Sequence, residues 1–173
     1  MSMSLSEKLV AIIAGAAIVA CTAMLLMEDS YAEDYATAAI GVFNSGKDSH
    51  AETKFLNVGH RDNLGLGLTY QFELGGWADN AGHGRSSSGY GAALVGVETD
   101  GAVFARVMTG SALITTPDRY LGGPFQFTED FYLGLRGSNG NSVGLLYKHL
   151  SSAGLERPNV GRDLFGFQVS IPY

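Results

Sequence analysis

The sequence predicts an all-β chain: one eight-stranded antiparallel barrel that crosses a membrane, preceded by a signal peptide. Three observations carry this. An uncharged apolar run opens the chain, period-two alternation recurs along the rest, and the last strand ends on an aromatic residue. The composition agrees. Charged residues are 16% of 173, and the 24 glycines are about twice the usual share, which suits strands and turns better than soluble helices. The net charge of -6 argues against a dedicated nucleic-acid binder, and the apolar content against disorder. A single Cys excludes a disulfide-stapled miniprotein and a cysteine-built zinc site. The length suits one domain.

Residues 1–32 are expected to be the signal peptide and 33–173 the barrel. Lys8 opens an uncharged run from Leu9 to Met27, and Ser30 and Ala32 stand three and one before a possible cut. The run is long and Glu7 opposes Lys8, so an uncleaved anchor carrying a soluble β domain is the alternative. Ile18-Val19-Ala20-Cys21 has the form of a lipoprotein processing box, but Thr22 to Met27 continue the apolar run past it. Without the leader the chain has no Cys and can cross a redox boundary with no pairing chemistry.

The clearest strand runs from Leu64 to Leu74. Leu64, Leu66, Leu68, Tyr70, Phe72 and Leu74 share one face, and Gly65, Gly67, Thr69, Gln71 and Glu73 the other. The last strand, Asp163 to Tyr173, repeats the pattern: Phe165, Phe167, Val169, Ile171 and Tyr173 against Gly166, Gln168 and Ser170. Weaker strands are expected over 36–43, 51–59, 89–98, 102–114, 124–136 and 142–151, separated by turn-rich stretches at 44–48, 80–88 and 138–141. By parity Arg106, Arg136 and Lys148 face inward with Glu73 and Asp130, as a structural ionic network. Glu129 and Asp130 are adjacent, so one must face outward unless a bulge intervenes. Trp77, Tyr90, Tyr120 and Tyr132 are candidates for interfacial girdles, or for ordinary packing. His50 and His60 lie at separate strand ends and His83 in a Gly-rich loop, so no metal cluster is expected.

A soluble sandwich or small barrel would bury the apolar faces, whereas a membrane barrel turns them to lipid. The leader favours the membrane. So does the opposite face of Gly, Thr, Gln and Glu, which suits a small crowded lumen. The ending, aromatic with apolar residues at alternate positions before it, resembles the C-terminal signature of bacterial outer-membrane proteins.

The chemistry gathers in the last hairpin. Val143, Leu145, Tyr147, His149 and Ser151 share the apolar, lipid-facing side of their strand. A His and a Ser two apart on a strand lie side by side, the pairing of base and nucleophile in a serine hydrolase. Asp163 opens the last strand with outward parity and can sit across from His149, to hold the imidazole's tautomer and stabilise its charged form. With an even strand count and both termini periplasmic, the preceding loop is extracellular. The cluster then lies at the outer-leaflet rim, where lipid A is the natural ester. The competing reading makes His149 and Ser151 interfacial polar residues and Pro158-Asn159 an ordinary turn.

The run from His149 to Asp163, with His149-x-Ser151, Ala153-Gly154 and Pro158-Asn159-x-Gly161, resembles the H-x-S-N-A-G-x-x-x-P-N-x-G segment of PagL-type lipid A 3-O-deacylases. These are outer-membrane serine esterases built as eight-stranded barrels. The resemblance implies Ser151 as nucleophile, His149 as general base and Asp163 as the acid, a shorter group than the family's usual Glu. It implies Ser152, Gly154 or Asn159 as oxyanion or substrate-positioning residues, with Ser152 standing where the family has Asn. Arg157 and Arg162 are candidates for contact with lipid A phosphates. No metal or organic cofactor is expected. The partners expected are lipid A or lipopolysaccharide and outer-membrane lipid, with no nucleic acid, and a homodimer is left open. The alternative function is a non-catalytic outer-membrane barrel with a structural or ligand-binding role.

Overall fold

Strands whose two faces differ this sharply need two different surroundings, and a closed sheet supplies them. The computed structural model describes residues 32–42, 52–79, 87–117, 121–157 and 159–172. The leader up to residue 31, His50, His83, Tyr120, Pro158 and Tyr173 lie outside the described residues. Eight strands run in order: β1 (Ala32–Val42), β2 (Glu52–Gly65), β3 (Leu68–Asp79), β4 (Ser87–Glu98), β5 (Val103–Ile114), β6 (Phe125–Arg136), β7 (Ser142–Ser151) and β8 (Arg162–Pro172). Each pairs antiparallel with its neighbour, and β1 pairs with β8 to close the barrel. Closure leaves no sheet edge, so every strand's backbone groups are paired from both sides.

The faces are inverted relative to a water-soluble protein. Leu56, Val58, Phe72, Leu74, Val107, Leu133, Leu145, Phe167 and Ile171 all point outward and are exposed, Phe167 at 65%. Arg61, Gln71, Glu73, Arg106, Asp130, Lys148 and Gln168 are buried inside. An apolar outer wall over the described side chains, with a polar lumen, is the arrangement lipid requires and water would penalise. This decides between the two architectures the alternation allowed.

The two ends differ. Residues 43–51, 80–86, 115–124 and 152–161 connect strands at one end, the shorter 66–67, 99–102 and 137–141 at the other. Beneath the long connections an apolar cluster of Phe55, Trp77, Tyr90, Ala112, Ile114, Leu121, Leu150 and Leu164 fills the lumen. Below it lies an ionic centre. Lys148 Nζ donates to Glu73 Oε1 at 2.5 Å, to both Asp130 oxygens at 2.7 Å and to Tyr90 at 3.0 Å. Glu73 Oε2 accepts from Tyr35 (3.0 Å), Asn57 (2.7 Å) and Gln71 (3.2 Å).

Three expectations are corrected. The single strand from Leu64 to Leu74 is two: β2 ends and β3 begins around a tight turn in which Leu66 (φ 53°) and Gly67 (φ 75°) are left-handed. The turn pairs Gly65 with Leu68, odd with even, and an irregularity between Asn63 and Gly65 restores odd facing odd along the rest of the hairpin, leaving Leu64 buried rather than on the outward face. The expected inward network is two: Arg106 and Arg136 pair with Glu98, apart from the Lys148 centre. Trp77, Tyr90 and Tyr132 are buried in the lumen rather than set in girdles, because they share strand parity with inward residues such as Glu73 and Asp130. Glu129 is exposed and Asp130 buried, with no bulge in β6.

Candidate active site

Three side chains face outward where β7 and β8 approach the long connections. Leu150 and Leu164 are buried in the apolar cluster, so their neighbours His149, Ser151 and Asp163 must emerge on the opposite face. His149 and Asp163 are direct register partners. The imidazole Nδ1 and Asp163 Oδ1 are 2.7 Å apart, and since a carboxylate only accepts, Nδ1 is the donor. In the neutral imidazole this is the tautomer whose Nε2 carries no proton, the form a general base needs.

Gly161 sets where the ring lies. It has φ of +81°, and a Cβ there would come within 2.8 Å of the imidazole Cε1 and 3.4 Å of Nε2. A side chain would strain the backbone and displace the ring together. The register 149 to 163 and 150 to 162, continued one step, sets Gly161 across from Ser151. The Cε1–Nε2 edge of the ring therefore faces the Gly161 backbone, at the strand end that carries Ser151. Ser151 Oγ makes no hydrogen bond to the imidazole among the described residues. Such pairs often tighten only with substrate in place.

Two further outward groups surround the pair. Glu129 on β6 is the register partner of His149 on its other side, so the imidazole stands between two carboxylates and bonds to Asp163. Tyr147, two residues before His149, donates its hydroxyl to Asp163 Oδ1 at 2.7 Å. Sequence parity places Tyr147 on the right face but not its hydroxyl, and Glu129 needs the β6–β7 register to be seen as a neighbour.

The loop after Ser151 is braced from within. Leu155 N donates to Ser152 O at 2.9 Å, and Ala153 (φ 50°) and Gly154 (φ 80°) complete a left-handed turn. Ser152 departs from the expected oxyanion role. It is buried, its hydroxyl donates to Glu156 O at 3.2 Å, and its backbone N–H donates to Asn159 Oδ1 at 2.8 Å. Opposite parity to Ser151 turns it away from the outer face. Asn159 and Gly154 are exposed at the rim, and Asn159 uses its amide oxygen to accept from Ser152 N. Arg162 is also corrected. It is buried, with its guanidinium 4.8 Å from the Trp77 ring centroid, because it precedes outward Asp163 by one. Arg157 is exposed. No group of three or more metal-ligating side chains occurs among the described residues.

Three comparisons with known proteins bear on the chain. A solved structure described as the outer membrane enzyme PagL superposes with a TM-score of 0.57 at 23% identity, over 81% of this chain and 99% of that one. A lipid A deacylase PagL of Bordetella bronchiseptica (strain ATCC BAA-588 / NCTC 13252 / RB50) is 40% identical over 47 residues, 27% of this chain. That match spans only 26% of the relative's length. The family model for lipid A 3-O-deacylase (PagL) matches residues 57–172, which include six complete strands, most of β2 and the whole Ser151, His149 and Asp163 cluster. With two thirds of its length inside that model, the chain belongs to the PagL lipid A 3-O-deacylase family.

Proposed function

We propose that this protein is an outer-membrane serine esterase that removes the 3-O-linked hydroxyacyl chain from lipid A. The observation that carries the reading is the 2.7 Å contact between His149 Nδ1 and Asp163 Oδ1 on the lipid-facing wall, with Ser151 next on the same face. A carboxylate on an apolar wall is costly, and a lone structural contact does not need a hydroxyl beside it.

Ser151 Oγ attacks the ester carbonyl while His149 Nε2 takes its proton. Asp163 stabilises the imidazolium that forms. The tetrahedral oxyanion is received by the Asn159 side-chain amide and the Gly154 backbone N–H, which stand at the rim. The acyl C–O bond then breaks, and the sugar oxygen leaves with the proton from His149. Water, deprotonated by the same imidazole, attacks the acyl-serine and releases the fatty acid, returning the proton to Ser151.

The acyl chain needs no deep pocket. The outer wall carries a groove of about 1280 Å³ lined by Val58, Phe72, Leu74, Leu113 and Phe125 with small Gly91 and Ala93. Its Phe125 end lies two residues from Phe127, the register partner of Ser151. Long connections outside and short ones in the periplasm are the rule for such barrels, which sets the cluster at the outer leaflet, with Arg157 near lipid A phosphates. Residues 1–32 supply export.

Expression of the full chain in a Gram-negative host, followed by mass analysis of extracted lipid A, tests this. Loss of one hydroxyacyl mass is expected with the wild type and not with Ser151→Ala. Unchanged lipid A from a correctly folded wild-type barrel would leave the non-catalytic reading, which the inward-turned Ser152 favours.

A further inference from the structure

We propose that Tyr147 is a positioning residue for the acid–base pair, acting through Asp163. This rests on the esterase reading above. The Asp163 Oδ1 atom accepts two bonds, one from His149 Nδ1 and one from the Tyr147 hydroxyl, both at 2.7 Å. The two donors come from residues two apart on β7, and the acceptor from the strand beside it. One oxygen is thus fixed from two directions.

The surroundings say why the second donor matters. Below His149 the outer wall is Phe131, Leu145 and Phe165, all exposed to lipid. The Tyr147 ring packs on Phe165 with centroids 5.0 Å apart, which pins the phenol beside the carboxylate. A carboxylate at an apolar wall is expensive unless its lone pairs are met, and a donor that bonds it lowers that cost. Asp has one side-chain methylene, so its oxygen has little freedom to seek Nδ1 by itself. The phenol selects the rotamer that meets the imidazole. A tyrosine serving only as an interfacial anchor would turn its hydroxyl to the headgroups, not sideways onto a neighbouring acid.

The full chain, folded in detergent with lipopolysaccharide as substrate, allows a direct test by a cycle of Tyr147→Phe and Asp163→Glu. Phe keeps the ring and removes only the hydroxyl. Tyr147→Phe is expected to lower kcat roughly tenfold, as for loss of a bond to a charged group, with KM within about twofold. In the Asp163→Glu background the longer side chain moves the carboxylate off the phenol. There Tyr147→Phe is expected to change kcat by less than about twofold. An equal loss in both backgrounds, or none in the first, would overturn the proposal.

The His149 Nδ1–H proton resonance gives a reading that needs no turnover. It should exchange with water faster in Tyr147→Phe than in the wild type, and unchanged exchange would also overturn the proposal. Inactivity of the wild type with a normal exchange difference would instead strike the esterase reading alone.

Discussion

Lys148 and His149 are consecutive on β7 and belong to opposite kinds of charged cluster. Lys148 faces the lumen, fully buried, with Glu73, Asp130 and Tyr90 around its ammonium group. His149 faces lipid, half-buried, with Nδ1 bonded to Asp163 and no hydrogen bond from the ring to Ser151 among the described residues. In the first cluster one buried ammonium bonds to both carboxylates and to a phenol. In the second, a donor–acceptor chain stops one step short, at the hydroxyl. The lumen cluster belongs to the barrel's scaffold, and on the proposed reading the unfinished outer chain is where a substrate completes it.

Substitutions on the two faces should separate along that line. The largest effect is expected from Ser151→Ala, which removes the proposed nucleophile and should lower deacylation by at least about a thousandfold, while heat-modifiable migration on a gel stays that of a folded barrel. Next is Lys148→Met, which strands two buried carboxylates and should cost about 3–5 kcal/mol of stability in urea unfolding. Adding Glu73→Gln and Asp130→Asn to it should recover part of that loss. No recovery would mean that the centre is not an electrostatic unit.

Gly161→Ala pushes on the imidazole from the loop side. It should reduce kcat by roughly a hundredfold, on the scale of a reacting group misplaced by about 1 Å, with the barrel still folded. Glu129→Gln should have the smallest effect, less than about tenfold, because Asp163 rather than Glu129 holds Nδ1. A loss from Glu129→Gln as large as that from Asp163→Asn would reverse the assignment of the acid.

Much of this was legible because strand parity is a strict rule. Phe165, Phe167, Val169 and Ile171 fixed the outward face of β8, and the same count put Asp163 with them and His149 with Ser151. Parity also held the answers that were misread. Arg162 is even-numbered like buried Leu164, and Trp77 is odd-numbered like buried Glu73, so both were bound to turn inward. What parity does not carry is register and closure. The β2–β3 turn is invisible to it, although two glycines flanking Leu66 were a signal. The approach of Glu129 to His149 depends on how β6 pairs with β7. The Tyr147 hydroxyl and the bonds that take up Ser152 depend on rotamers and on loop packing, which no spacing specifies.

The three outward groups must work as one unit, and a serine-reactive phosphonate reads that unit without reference to any lipid. Treatment of the folded full chain, followed by peptide mass analysis, should find the adduct on Ser151, strongly reduced in His149→Ala and in Asp163→Asn. A folded wild-type barrel that takes up no label at Ser151, or labels equally without His149, would contradict it.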